Sequence, residues 1–203
     1  MNHRTRLLIA TVLFAAAANA LSAASCIDSL SDYRTKKVDE LLNSTDSPFS
    51  EAFRLKFNGF SYYDGDEAYC VDATFEPIDD SKVIDYPTFN QKTIPFRRVG
   101  VFHFKVNGRP EALAAFQRMD LPEDQRQWLL IMFEDQTNGK GTYGGGRYLQ
   151  VGLPIRKHTI LDFNRADNPY CAYEAQFACP VAPSENLLKT AIPVGEKDYV
   201  GPH

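Results

Sequence analysis

The chain has 203 residues, of which 44% are hydrophobic and 24% charged, a composition that excludes a disordered chain and suits one domain able to bury a core. Twelve per cent of the residues are aromatic, including 14 Phe and 10 Tyr, which favours sheet over helix bundle. The formal net charge of −4 argues against non-specific binding of nucleic acid.

Residues 1–24 read as a secretory signal peptide. Arg4 and Arg6 form a positive n-region, Leu7 to Ala18 is an apolar run too short to span a bilayer, and Ala18-Asn19-Ala20 and Ser22-Ala23-Ala24 both fit a cleavage site. Export to the periplasm or the medium is therefore expected. Removal of this segment leaves 20 basic against 26 acidic residues, a net charge of about −6. Cys26 follows Ala23-Ala24-Ser25, so a lipid anchor there is the rival reading, although the leucine usual three residues before a lipidated Cys is missing. No later segment is long and apolar enough to span a membrane.

The mature part, residues 25–203, is expected to be a single, mainly β domain: an antiparallel barrel or sandwich with a short N-terminal helix. Asp28 to Leu42 carries Leu30, Tyr33, Val38, Leu41 and Leu42 near helical spacing, with Asp28 or Ser31 as caps. Ser44-Thr45-Asp46-Ser47-Pro48 breaks that helix. Phe53 to Phe60 and Tyr69 to Phe75 read as strands on either side of the turn at Asp64-Gly65-Asp66. Ser81 to Thr93 reads as a long polar loop. Arg98 to Val106 alternates, with Phe102, Phe104 and Val106 on one face. The Asn107-Gly108 that follows is the strongest hairpin signal in the chain, with Glu111 to Met119 as the return arm. Trp128 to Phe133 is continuously apolar, as in a central strand buried on both faces. Thr142 to Val151 and Thr159 to Phe163 complete the set.

Several motifs mislead. Gly139-Lys140-Gly141-Thr142-Tyr143-Gly144 matches a dinucleotide-binding fingerprint, but a strand-like segment follows it where a helix is needed. Asp162-Phe163-Asn164 lacks the glycine of the kinase metal-binding tripeptide. Only His103 and His158 could serve a Ser-His-Asp arrangement. No cofactor is expected.

Export makes paired cysteines the default, with Cys171–Cys179 favoured by proximity and Cys26–Cys70 left over. A metal site fails on ligands: there is no C-x-x-C, and the histidines lie far off in sequence.

The candidate functional surface lies in residues 128–198. If Leu149 and Val151 face the core, the strand period of two sends Arg147 to the same face. A buried guanidinium needs a carboxylate. Asp135, Asp162 and Glu196 are the candidates, and Asp162, on the next strand in sequence, is the expected partner. Arg147, Asp162, Asn164 and Asn168 are thus expected to cluster, with Cys171 and Glu196 at the edge.

The residues of this region come in a familiar order. Phe133-Glu134-Asp135-Gln136-Thr137-Asn138-Gly139 precedes Thr142-Tyr143-Gly144-Gly145-Gly146-Arg147-Tyr148-Leu149. Leu161 to Tyr173, Cys179-Pro180, Pro183 with Asn186-Leu187-Leu188, and Gly195-Glu196-Lys197 follow. The chain resembles the bacterial family catalogued as domain of unknown function 1684, specifically over residues 128–198 and more loosely from 46 to 127, a family-like core of about 46–198. The resemblance implies a mostly β fold and no established activity. Asp167 stands where the family pattern usually has an aromatic residue, and Ala182 where Pro is common.

Three functions fit these residues. The leading one is a module holding a small polar or anionic ligand, with Arg147 as the clamp and Asp162, Asn164, Asn168 and Glu196 around it. The second is a hydrolase with Asp162 or Glu196 as general base and Arg147 stabilising negative charge. The third is a structural or interaction protein in which the same residues only hold the fold.

Overall fold

The computed structural model describes residues 26–79 and 82–201. The expected signal peptide lies outside the described residues. Among the described residues, no helix is long and apolar enough to cross a membrane.

Seven antiparallel strands form one sheet curled into a half-barrel. They are β1 (Cys70–Pro77), β2 (Val83–Pro87), β3 (Thr93–Val106), β4 (Arg109–Arg118), β5 (Trp128–Phe133), β6 (Arg147–Gly152) and β7 (His158–Asp162). The order is β6-β5-β4-β3-β1-β7, with β2 added alongside β3. Successive strands β6 and β7 therefore occupy opposite ends of the ladder.

The hairpin β3–β4 turns at Asn107-Gly108, where both residues have positive φ (52° and 75°), as a two-residue turn of this hand requires. Further along β3, the register shifts between Arg98 and Gly100. A strand without this bulge would place Phe96 and Phe102 on one face, because their separation is even. The shift reverses the faces. Phe96 packs with Tyr86, Phe116 and Met132 on one side of the sheet, and Phe102 packs with Leu113, Ile131 and Leu161 on the other. The matching arm of β4 is buried on both faces from Leu113 to Phe116.

Helix α1 (Leu30–Val38) runs into a π-helical turn, Asp39–Asn43. Ser29 takes the N-cap position rather than Asp28 or Ser31. A second short helix, α2 (Glu51–Arg54), replaces the strand expected from Phe53. Ser50 Oγ accepts from Phe53 N at 3.1 Å and caps it, and the ring then packs on Phe49, Phe57 and Tyr173. The expected loop before Thr93 contains β2, whose residues are exposed except Tyr86; a polar branch strand carries too little alternation to be seen. β5 is central, as expected, with Ile131 to Phe133 buried, but Trp128 at its start is 57% exposed. β6 begins only at Arg147, because the preceding glycine-rich segment turns on itself, with Gly139 N donating to Thr142 O at 3.0 Å.

Candidate functional site

Arg147 opens β6 opposite Phe133. It is fully buried, on the face of Leu149 as the alternation implied. Its Nη2 donates to Asp135 Oδ2 and to Ile192 O, both at 2.8 Å. Its Nη1 donates to Val194 O and, at 3.4 Å, to Glu196 O. Asp135 is itself held. Its Oδ1 accepts from Thr137 N (2.8 Å), Thr137 Oγ1 (2.6 Å) and Ile192 N (3.1 Å). Burial pulls the Arg147 pKa below its ordinary value, with Asp135 opposing, but a guanidinium stays charged.

The partner is Asp135, not Asp162. Asp162 closes β7 at the far end of the ladder, paired in register with Cys70, so the strand next in sequence is not next in space. There Asp162 Oδ1 accepts from Asn164 N (3.0 Å) and Asn164 Nδ2 (2.9 Å), while Arg165 Nε lies 3.1 Å from Oδ2. Asn164 is fully buried and clamps the preceding turn through Asp66: Asp66 N donates to its Oδ1 (2.8 Å), and its Nδ2 donates to Asp66 O (3.0 Å). Asp162 and Asn164 thus form one centre, apart from the Arg147 cluster.

Glu196 and Asn168 join a third group, built around a residue that sequence reasoning missed. Lys37, from α1, is 8% exposed and places Nζ 2.8 Å from Glu196 Oε2 and 2.7 Å from Asp167 Oδ1. Asn168 N donates to Glu196 Oε2 at 2.9 Å, and Asn168 Nδ2 to Lys197 O at 2.7 Å. The Tyr173 hydroxyl donates to Glu196 Oε1, and the Tyr33 hydroxyl to Asp167 Oδ2. The ammonium also lies over the rings of Phe60 (4.7 Å) and Tyr62 (5.7 Å). Burial disfavours the charged ammonium, but Glu196 and Asp167 outweigh it and hold Lys37 well above its ordinary pKa. Burial raises Glu196, and Lys37 only partly offsets this. The signal for Lys37 was present. Leu30, Tyr33, Lys37 and Leu41 fall on one helical stripe, and a lysine in the middle of such a stripe must find buried carboxylates. Asp167 supplies one of them.

Glu196 links the two cations: its carbonyl receives Arg147, and its carboxylate receives Lys37. Gly195 makes this placement feasible. Its φ is +77°, and a Cβ there would lie 2.7 Å from Ala166 O and 2.8 Å from Phe163 O, so no other residue fits without backbone movement.

The four cysteines are free thiols rather than the expected disulfides, although each stands beside the partner expected for it. Cys171 N donates to Cys179 Sγ at 3.1 Å. The sulfurs of Cys26 and Cys70 and a carboxylate oxygen of Asp162 all lie within 4.8 Å of one another, a separation that a metal ion could bridge. However, Asp162 Oδ1 already accepts from Asn164 and, at 3.6 Å, from the Cys70 thiol, and the Arg165 cation sits on its other oxygen. His103 and His158 are exposed and face Glu76 (3.0 Å) and Asp72 (3.8 Å), with no serine in either contact. An open groove of about 650 Å³ lies beside these clusters, lined by Ile27, Tyr63, Asp64, Gly65, Asp66, Glu67, Pro193 and Val194.

No curated protein matches the chain. A solved structure does: the solution NMR structure of an uncharacterized protein of Haloarcula marismortui. It is 31% identical, with a TM-score of 0.69, over 87% of this chain and 96% of that one. A family model described as protein of unknown function DUF1684 matches residues 55–197, which include Asp135, Arg147 and Glu196 but not Lys37. The chain belongs to the DUF1684 family.

Proposed function

We propose that this is an exported structural or interaction domain, in which the Arg147 and Lys37 clusters hold the fold and neither clamps a ligand nor drives hydrolysis. One observation carries this reading: Arg147 and Glu196 are 0% and 1% exposed, and their hydrogen bonds go to protein groups. A ligand clamp needs a guanidinium that a ligand can reach, and a general base needs a carboxylate within reach of the proton it takes. The n-region, apolar run and small-residue site of residues 1–24 support export.

A binding role at a different place is favoured by the groove. Asp64, Asp66 and Glu67 line it, so it would attract a polar or cationic group and repel the anion that Arg147 was expected to hold. A thermal-shift screen of small carboxylates, phosphates and amines on wild type, Arg147→Lys and Asp66→Asn tests both readings. Arg147→Lys should melt lower without changing any ligand response. An anion-induced shift that disappears in Arg147→Lys while the melting temperature holds would overturn the proposal.

A further inference from the structure

The two cysteine pairs sit in different surroundings. Burial, with the Asp162 carboxylate adding to it, pushes the thiols of Cys26 and Cys70 up and keeps them protonated. Cys171 is half-buried in the 3-10 turn Tyr170–Ala172. Its sulfur receives hydrogen bonds from the Cys179 thiol and from the Tyr143 hydroxyl, which outweigh burial and hold this thiol below its ordinary value. Cys179 is 6% exposed, and its thiol is raised far above the ordinary value by its bond to Cys171 and by burial.

The chain around Cys179 is pinned. Phe89 N donates to Cys179 O at 3.0 Å, and the Tyr148 hydroxyl donates to Pro180 O. Cys171 N stands 3.1 Å from Cys179 Sγ. With N–Cα near 1.46 Å, that sulfur lies within about 4.6 Å of the Cys171 Cα. Closing an S–S bond therefore needs side-chain rotation and little backbone movement.

We infer that Cys171 and Cys179 form a thiol–disulfide exchange couple, with Cys171 the less buried, attacking sulfur and Cys179 the sheltered resolving one, acting on low-molecular-weight disulfides small enough to reach a half-buried thiol. The Cys171 thiolate attacks one sulfur of the disulfide, forms a mixed disulfide and expels a thiolate. The Cys179 thiol gives its proton to that leaving thiolate. The Cys179 sulfur then attacks Cys171, closes the intramolecular bond and releases the second thiolate, which takes up the proton first shed by Cys171. Two electrons pass from the protein to the reagent, one disulfide is lost and one is formed, and two small thiols leave. The less buried sulfur is also the one favoured as thiolate, while the more buried one lies beside it.

The test uses reduced protein treated with oxidised glutathione and read by intact mass and peptide mapping. Wild type should yield a Cys171–Cys179 bond with no retained glutathione. Cys179→Ser should accumulate one glutathione on Cys171, and Cys171→Ser, checked for native circular dichroism, should leave Cys179 unmodified. Alkylation of wild type by iodoacetamide at pH 7 gives a second readout that needs no variant. Cys171 should react at least about tenfold faster than Cys70, and Tyr143→Phe should slow Cys171 without lowering the melting temperature. Glutathione found on Cys179, a Cys179→Ser protein that traps no adduct, or equal alkylation of Cys171 and Cys70 would overturn the inference.

Discussion

Arg147 and Lys37 are two buried cations that both reach Glu196, and the fold pairs them in different ways. Arg147 takes one carboxylate, Asp135, and the carbonyls of Ile192, Val194 and Glu196; its planar fork spreads one charge over a stretch of backbone. Lys37, a compact point charge, takes two carboxylates and two aromatic faces. Their reach along the chain differs as well. Asp135 is 12 residues from Arg147, whereas Asp167 and Glu196 are 130 and 159 residues from Lys37. The first cluster fastens the C-terminal segment onto the sheet. The second fastens a helix that precedes the family-matched region onto that same segment, so the Arg147 cluster should tolerate loss of the helix contact.

The largest effect expected from breaking this arrangement is at Asp135. Asp135→Asn leaves a fully buried guanidinium without its carboxylate, and urea unfolding should show a loss of about 3–5 kcal/mol. Glu196→Gln removes the carboxylate that joins the two clusters but leaves Lys37 with Asp167, so a loss of about 2–3 kcal/mol is expected by the same measurement. Lys37→Met keeps the stem in place and sharpens the contrast through pH. Because Lys37 has a raised folded pKa, the unfolded chain loses its proton first as pH rises. Its contribution is present in full below the ordinary lysine value of 10.5 and is lost above it. Tyr33 and Tyr62 are raised by burial and share this sign. Wild type should therefore lose stability steeply above about pH 10, and Lys37→Met, already weaker at neutral pH, should show a flatter alkaline limb. The smallest effect is expected at Asn164, which belongs to neither cluster. Asn164→Ala should cost about 1–2 kcal/mol and speed amide exchange at Asp66 and Ala68, with little change at Ile192 or Val194.

Local chemistry was legible in the sequence where one residue's neighbours decide its fate. Asn107-Gly108 specifies a tight turn wherever it falls, and the alternation of Arg147 with Leu149 fixes the face of the guanidinium. Its partner was not legible, because sequence order suggested that β6 and β7 adjoin, whereas β7 pairs with β1 at the other end of the ladder. The reversal of faces along β3 rests on a one-residue bulge whose sign in the sequence is the single Gly100 inside the strand. Phe53 to Phe60 is aromatic enough for a strand, yet Ser50 starts a helix there and the rings fill a third core against Tyr173. Lys37 hides in the sequence because a charged residue on an amphipathic helix ordinarily marks the solvent side.

A double-mutant cycle on Asp135→Asn and Arg147→Met, read by urea unfolding, asks whether the buried polar residues act on one another rather than on a ligand. The expected coupling is at least about 2 kcal/mol, with the double variant more stable than Asp135→Asn alone, because the second change removes the stranded charge. Losses that add to within about 0.5 kcal/mol would contradict it.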